Sequence, residues 1–97
     1  MLTILNSSES PGPAGQTPEN LALAALGWIL ADQPRAERLL DLTGLTPDIL
    51  RDRLDDRSVL AAILEFLINH EPDLVAAAET LQVTPQNLVS ARESLTR

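Results

Sequence analysis

Leu21-Ala22-Leu23-Ala24-Ala25-Leu26-Gly27-Trp28-Ile29-Leu30-Ala31 holds nothing polar except the ring nitrogen of Trp28, and it begins directly after Thr17-Pro18-Glu19. A second run of the same character, Val59 to Ile68, lies 38 residues downstream and is broken only by Glu65. Each run is long enough for a helix buried on most sides. Both fall short of the roughly 20 apolar residues that a bilayer crossing requires. The pair specifies a compact all-α domain built on two central hydrophobic helices, and it specifies no chemistry.

Around these two runs the helix starts are marked by caps and prolines. Thr17 caps the first helix, with Pro18 at its first helical position and Glu19 near the positive end of the dipole. It is expected to run to about Ala31. A second helix opens at Pro34, after Asp32 or Gln33, and ends near Thr43, where Gly44 suits the left-handed residue that follows. Thr46-Pro47-Asp48 starts a third, to about Asp55. Asp56 or Ser58 begins the second hydrophobic helix, which stops at His70 because Pro72 cannot continue it. A fifth is expected from Pro72 to about Gln82, and a sixth from Thr84-Pro85 nearly to the C-terminus. No stretch reads as a strand.

Superposing the chain on itself at an offset of 38 residues places Leu26 on Leu64, Trp28 on Phe66, Pro34 on Pro72, Thr46-Pro47 on Thr84-Pro85 and Leu50 on Leu88. The expected architecture is therefore six short helices in two similar trihelical, helix-turn-helix-like halves, about 17–56 and 57–97. Duplication would produce this pattern; so would the recurrence of ordinary helix-start residues. Residues 1–16 read as a disordered leader of turn-formers, with Leu2, Ile4 and Leu5 as an apolar stub ahead of them. The expected core is Leu26, Gly27, Trp28, Leu30, Leu45, Leu50, Leu60, Leu64, Phe66, Leu67 and Leu88. Mid-helix Gly27 costs about 1 kcal/mol relative to alanine. The expected compensation is close approach of the helix carrying Phe66, so that Gly27→Leu would destabilise the fold.

The 97 residues carry 14 acids against seven arginines and no lysine, a net charge of −7. Such a chain repels phosphate backbones and anionic lipid, so nucleic acid and membrane surfaces are poor partners. Without cysteine there is neither disulfide nor thiolate metal site. The N-terminus lacks the basic start and apolar stretch of a secretory signal, and a cytoplasmic location is expected.

Chemistry finds little footing. His70 with Glu71 and Asp73 is the cluster nearest to a metal site, but no second histidine or cysteine completes a transition-metal shell. His70 reads instead as a helix C-terminal residue complementing the dipole. It has no identifiable serine partner with a base-orienting acid, so nucleophilic catalysis has little support. Carboxylates such as Asp48, Asp52, Asp55 and Asp56 fall on polar faces where nothing raises a pKa. No catalytic, cofactor-binding or metal residue is expected, and no cofactor. Arg35 and Arg38 share one helix face, and Arg53 and Arg57 stand four apart; these four are a candidate protein-docking face. Arg38 can pair with Asp41, and Arg51 with Asp48.

Ala78, Leu81, Val83 and Leu88 have the spacing of a helix-turn-helix, with Gln82 where the turn glycine would stand. In that alternative Gln86, Asn87, Ser90 and Arg92 form the nucleic-acid face. The uncompensated cations of a duplex reader are missing.

The stretch Ala25-Leu26…Ile29-Leu30-Ala31-Asp32, then Arg38-Leu39-Leu40-Asp41-Leu42-Thr43-Gly44-Leu45-Thr46-Pro47 with Leu50-Arg51, resembles a small bacterial family known as domain of unknown function 3572. The likeness continues through Leu60 to Leu67, Glu71, Pro85 and Ala91, and so spans roughly residues 19 to 95. It departs at Leu39 and near Ala77, where bulkier aromatics are expected, and at Gln82. The resemblance implies an all-α cytoplasmic bacterial protein and brings no activity. Relatives encoded near a single-domain response regulator of a cell-cycle pathway point to a signalling component as partner.

The function expected from these residues is a small non-enzymatic protein-interaction or regulatory module. The alternative is a helix-turn-helix DNA-binding protein, or a DNA-mimicking regulator of one. Oligomeric state stays open, although the outer side of the long helices offers a surface for self-association.

Overall fold

The computed structural model describes residues 17–97; the expected leader, with Leu2, Ile4 and Leu5, lies outside the described residues. Six α-helices follow one another: α1 Pro18–Leu30, α2 Gln33–Thr43, α3 Pro47–Asp52, α4 Arg57–Ile68, α5 Glu71–Leu81 and α6 Pro85–Leu95. Among the described residues there is no strand.

The starts follow the caps. Thr17, Thr46 and Thr84 are extended, and each hydroxyl accepts an N–H three residues on, at 3.0, 3.1 and 3.0 Å. Each precedes a proline whose missing N–H falls among the orphan donors of a first turn. Asn87 returns a bond to the Thr84 N–H, closing a capping box on α6. Asp32 caps α2 and Asp56 caps α4. Helix α3 stops at Asp52, short of the expected Asp55. Arg53 leaves helical geometry so that Leu54 and Asp55 can turn the chain and free Asp56 to cap α4.

His70 is not the last residue of α4. It is the extended residue before α5, its side chain forming no cap bond, and its imidazole faces Asp73 rather than the end of α4.

The core forms where α1, α4 and α6 pack on one another. Helix α2 covers α1 and α4, and α5 leans on α1, α4 and α6; α3 makes no packing of similar extent. Ile29, Leu39, Leu60, Ile63, Leu64, Leu67 and Leu88 are fully buried, and the buried set among the described residues contains no polar side chain. The acids and arginines therefore sit at the surface or on its margin, where ion pairing adds little to stability.

Three core expectations are corrected. Leu30 is 47% exposed, because it lies on the side of α1 that no other helix covers. Gly27 is exposed on that side as well, and a Cβ built there meets nothing within 4 Å. Among the described residues no helix approaches it, so the expected damage from Gly27→Leu loses its basis. Trp28 is half-buried and packs on the core by one side only, whereas Phe66 is 4% exposed. Leu26, Leu50, Leu60, Leu64, Leu67 and Leu88 are buried as expected, and Leu45 is half-buried against the core.

Candidate functional site

Helix α2 lies against the C-terminal half of α4, and between them opens a cavity of about 300 Å³. Arg38, Leu42 and Thr43 line it from α2; Ala62, Glu65 and Phe66 line it from α4; Asn69 and His70 close its end. The buried Phe66 ring belongs to the core as well, so the floor is fixed by packing. Leu42, by contrast, is 72% exposed, the most exposed of the large apolar side chains among the described residues. An exposed wall beside a buried floor makes an open apolar cleft.

The rim is polar and its charges cancel. Arg38 donates to Asp73 Oδ2 at 2.6 Å, and His70 Nδ1 lies 3.0 Å from the same oxygen. Asp73, in the first turn of α5, thereby ties α2 to the turn that ends the cleft. Its side chain is 14% exposed, so this pair is better shielded from solvent than the others. The Arg38 guanidinium also stands 5.8 Å from the Phe66 ring centroid, within reach of the ring's negative face. Glu65 is held at 3.3 Å by Arg92 of α6. Thr43 donates to the Leu39 carbonyl and accepts the Leu45 N–H, which secures the end of α2.

The four arginines expected as a docking face are engaged separately. The Arg35 guanidinium lies 3.6 Å from the Trp28 ring centroid and donates to the Trp28 carbonyl. Arg38 is the member that reaches the cleft, and its partner is Asp73, not the expected Asp41. Arg53 stands 3.8 Å from Asp56. Arg57 joins Glu19 at 3.1 Å and also donates to the Ser94 carbonyl, fastening the starts of α1 and α4 to the end of α6. Arg51 pairs with Asp48 as expected.

On α6, Asn87 is committed to the capping box, Gln86 contacts Ser90 at 3.5 Å, and Arg92 turns toward Glu65 on α4. Among the described residues no group of His, Cys, Asp and Glu gathers as a metal site, and no helix is long and apolar enough to cross a membrane.

Sequence reasoning gave Leu42 and Asn69 no place in a site, and it named Asp73 only beside His70, not as the partner of Arg38. The sequence carried no signal for Leu42: three residues after buried Leu39, it belongs by spacing to the same side of the helix.

A family model described as a protein of unknown function, DUF3572, matches residues 15–97. The chain belongs to the DUF3572 family. The match takes in all six helices, so cleft and core both lie within the DUF3572 region. No curated protein and no solved structure matches the chain.

Proposed function

We propose that this DUF3572 domain is a non-enzymatic docking module whose α2–α4 cleft receives apolar side chains from a basic amphipathic helix of a partner protein. The observation that carries the reading is the cavity of about 300 Å³ floored by buried Phe66 and flanked by exposed Leu42. Such a space fits one or two side chains of a helix laid along the groove. The rim charges are already paired, so the guest's apolar part is neutral. The net charge of −7 favours Lys and Arg on its flanks. A signalling protein is the partner class that the family resemblance suggests.

The fold supports a reading as two similar trihelical halves. Helix α1 packs on α2 as α4 packs on α5, and α2 meets α4 as α5 meets α1. The third helices depart from this, since α6 spans both long helices and α3 does not.

The test is a titration of the ¹⁵N-labelled chain with a synthetic amphipathic peptide of leucine and lysine. Amide shifts are expected to concentrate at Arg38, Leu42, Phe66 and Asn69, and to vanish in Ala62→Trp, which fills the cleft. Shifts spread over the acidic surface and unchanged by that variant would reject the cleft.

The helix-turn-helix alternative has one observation in its favour: Gln82 adopts the left-handed conformation, φ +62°, at the turn between α5 and α6. Retention on random duplex DNA at low salt would support it.

A further inference from the structure

After Asn20, helix α1 is apolar on every side, yet one side faces solvent. A helix of that composition belongs in an interior. Leu23 and Leu30 are 39% and 47% exposed, with exposed Gly27 between them, four residues after one and three before the other. That spacing puts all three on a single face. Gly27 carries the point further. A mid-helix glycine costs about 1 kcal/mol against alanine, and here none of the described residues occupies the space it leaves open. The gap faces outward, where a second helix can bring its backbone close.

We infer that this face is a contact between two copies of this chain, α1 crossing α1 on a twofold axis near Gly27. The leucines flank the glycine almost evenly, so an antiparallel copy sets Gly27 against its partner's Gly27 and Leu23 close to its partner's Leu30. A twofold interface requires that kind of self-complementarity.

Charge at this face does not oppose that occupant. Two chains of net charge −7 repel one another, but α1 carries no charged side chain after Glu19. Glu19 is itself paired with Arg57, and Asp32 beyond the helix end is committed to capping α2. Copies that meet here oppose no like charges. Area sets the strength. One short helix laid across another covers on the order of several hundred Å², below the roughly 1,000 Å² expected of a stable interface. The dimer is therefore weak and reversible.

Sedimentation equilibrium of the full chain, from micromolar to about millimolar concentration, tests this. The weight-average mass is expected to climb from the monomer value toward twice that value. Leu23→Glu/Leu30→Glu and, separately, Gly27→Glu are expected to lower the association constant at least tenfold. Far-UV circular dichroism should stay unchanged, since all three positions are exposed. A chain that stays monomeric throughout overturns the inference. So does a dimer that persists in either helical variant.

Discussion

Helices α1 and α4 lie against each other and are alike in composition: after Glu19 the first has no charged residue, and after Arg57 the second has only Glu65. They are used differently. Helix α4 buries Val59, Leu60, Ala61, Ile63, Leu64, Phe66 and Leu67, and its remaining side borders the cleft beneath α2. Helix α1 buries five residues and leaves Leu23, Gly27 and Leu30 to solvent. At the offset of 38 residues, Ala24, Gly27, Trp28 and Ala31 correspond to the cleft residues Ala62, Glu65, Phe66 and Asn69. On α4 a neighbouring helix makes a cavity of these positions, whereas at the end of α1 Gly27 and Ala31 are exposed and Ala24 and Trp28 half-buried. Burial is a property of the neighbour as much as of the sequence that is buried.

The sharpest way to break this comparison is to truncate one leucine on each helix. Leu64→Ala is expected to cost about 2–5 kcal/mol, because the site is fully enclosed. Leu30→Ala should change stability by less than about 0.5 kcal/mol. Urea denaturation of both variants reads the contrast, and equal losses would abolish it. Next in size, Gly27→Ala is expected to stabilise the monomer by about 1 kcal/mol, seen as a higher midpoint with an unchanged slope. A loss of stability would mean that a helix does approach Gly27.

Arg35→Ala tests what covers Trp28 in place of a helix. Removing the guanidinium should cost about 0.5–1 kcal/mol and shift the Trp28 emission to the red. Phe66 would be unaffected, because its cover is the core. The smallest expected effect is at the α5–α6 turn. Gln82→Gly relieves a left-handed side-chain clash of about 1 kcal/mol but loosens the unfolded chain, for a net gain of about 0.5 kcal/mol. A measured loss would show that the Gln82 side chain contributes packing of its own.

Local signals made most of the fold legible. Thr17, Thr46 and Thr84 each cap the helix expected of them, and Gly44 takes the left-handed turn with φ +75°. Gln82 takes the same conformation without being glycine, so its residue type concealed its geometry. Helices α3 and α6 show where local signals stop. Both begin at Thr-Pro, yet α3 has six residues and buries Leu50, whereas α6 has 11 and buries Leu88, Ala91 and Leu95.

The cleft was barely legible. The choice between Asp41, three residues from Arg38, and Asp73, 35 residues away, depends on how α5 docks against α1 and α4. Residue spacing ranks near partners first, and the fold preferred the distant one because its carboxylate is better shielded from solvent.

Backbone hydrogen bonding is satisfied within a turn or two. Caps, prolines and runs of apolar residues were therefore enough to place six helices, and seven of the 11 residues expected in the core leave water, while Ile29, Leu39 and Ile63 were not named. Which side of an all-apolar helix is covered has no such local rule, since it follows from contacts between residues far apart in the chain. Packing alone turned Phe66 inward over a cavity, left Trp28 under an arginine, and set Leu23, Gly27 and Leu30 facing out.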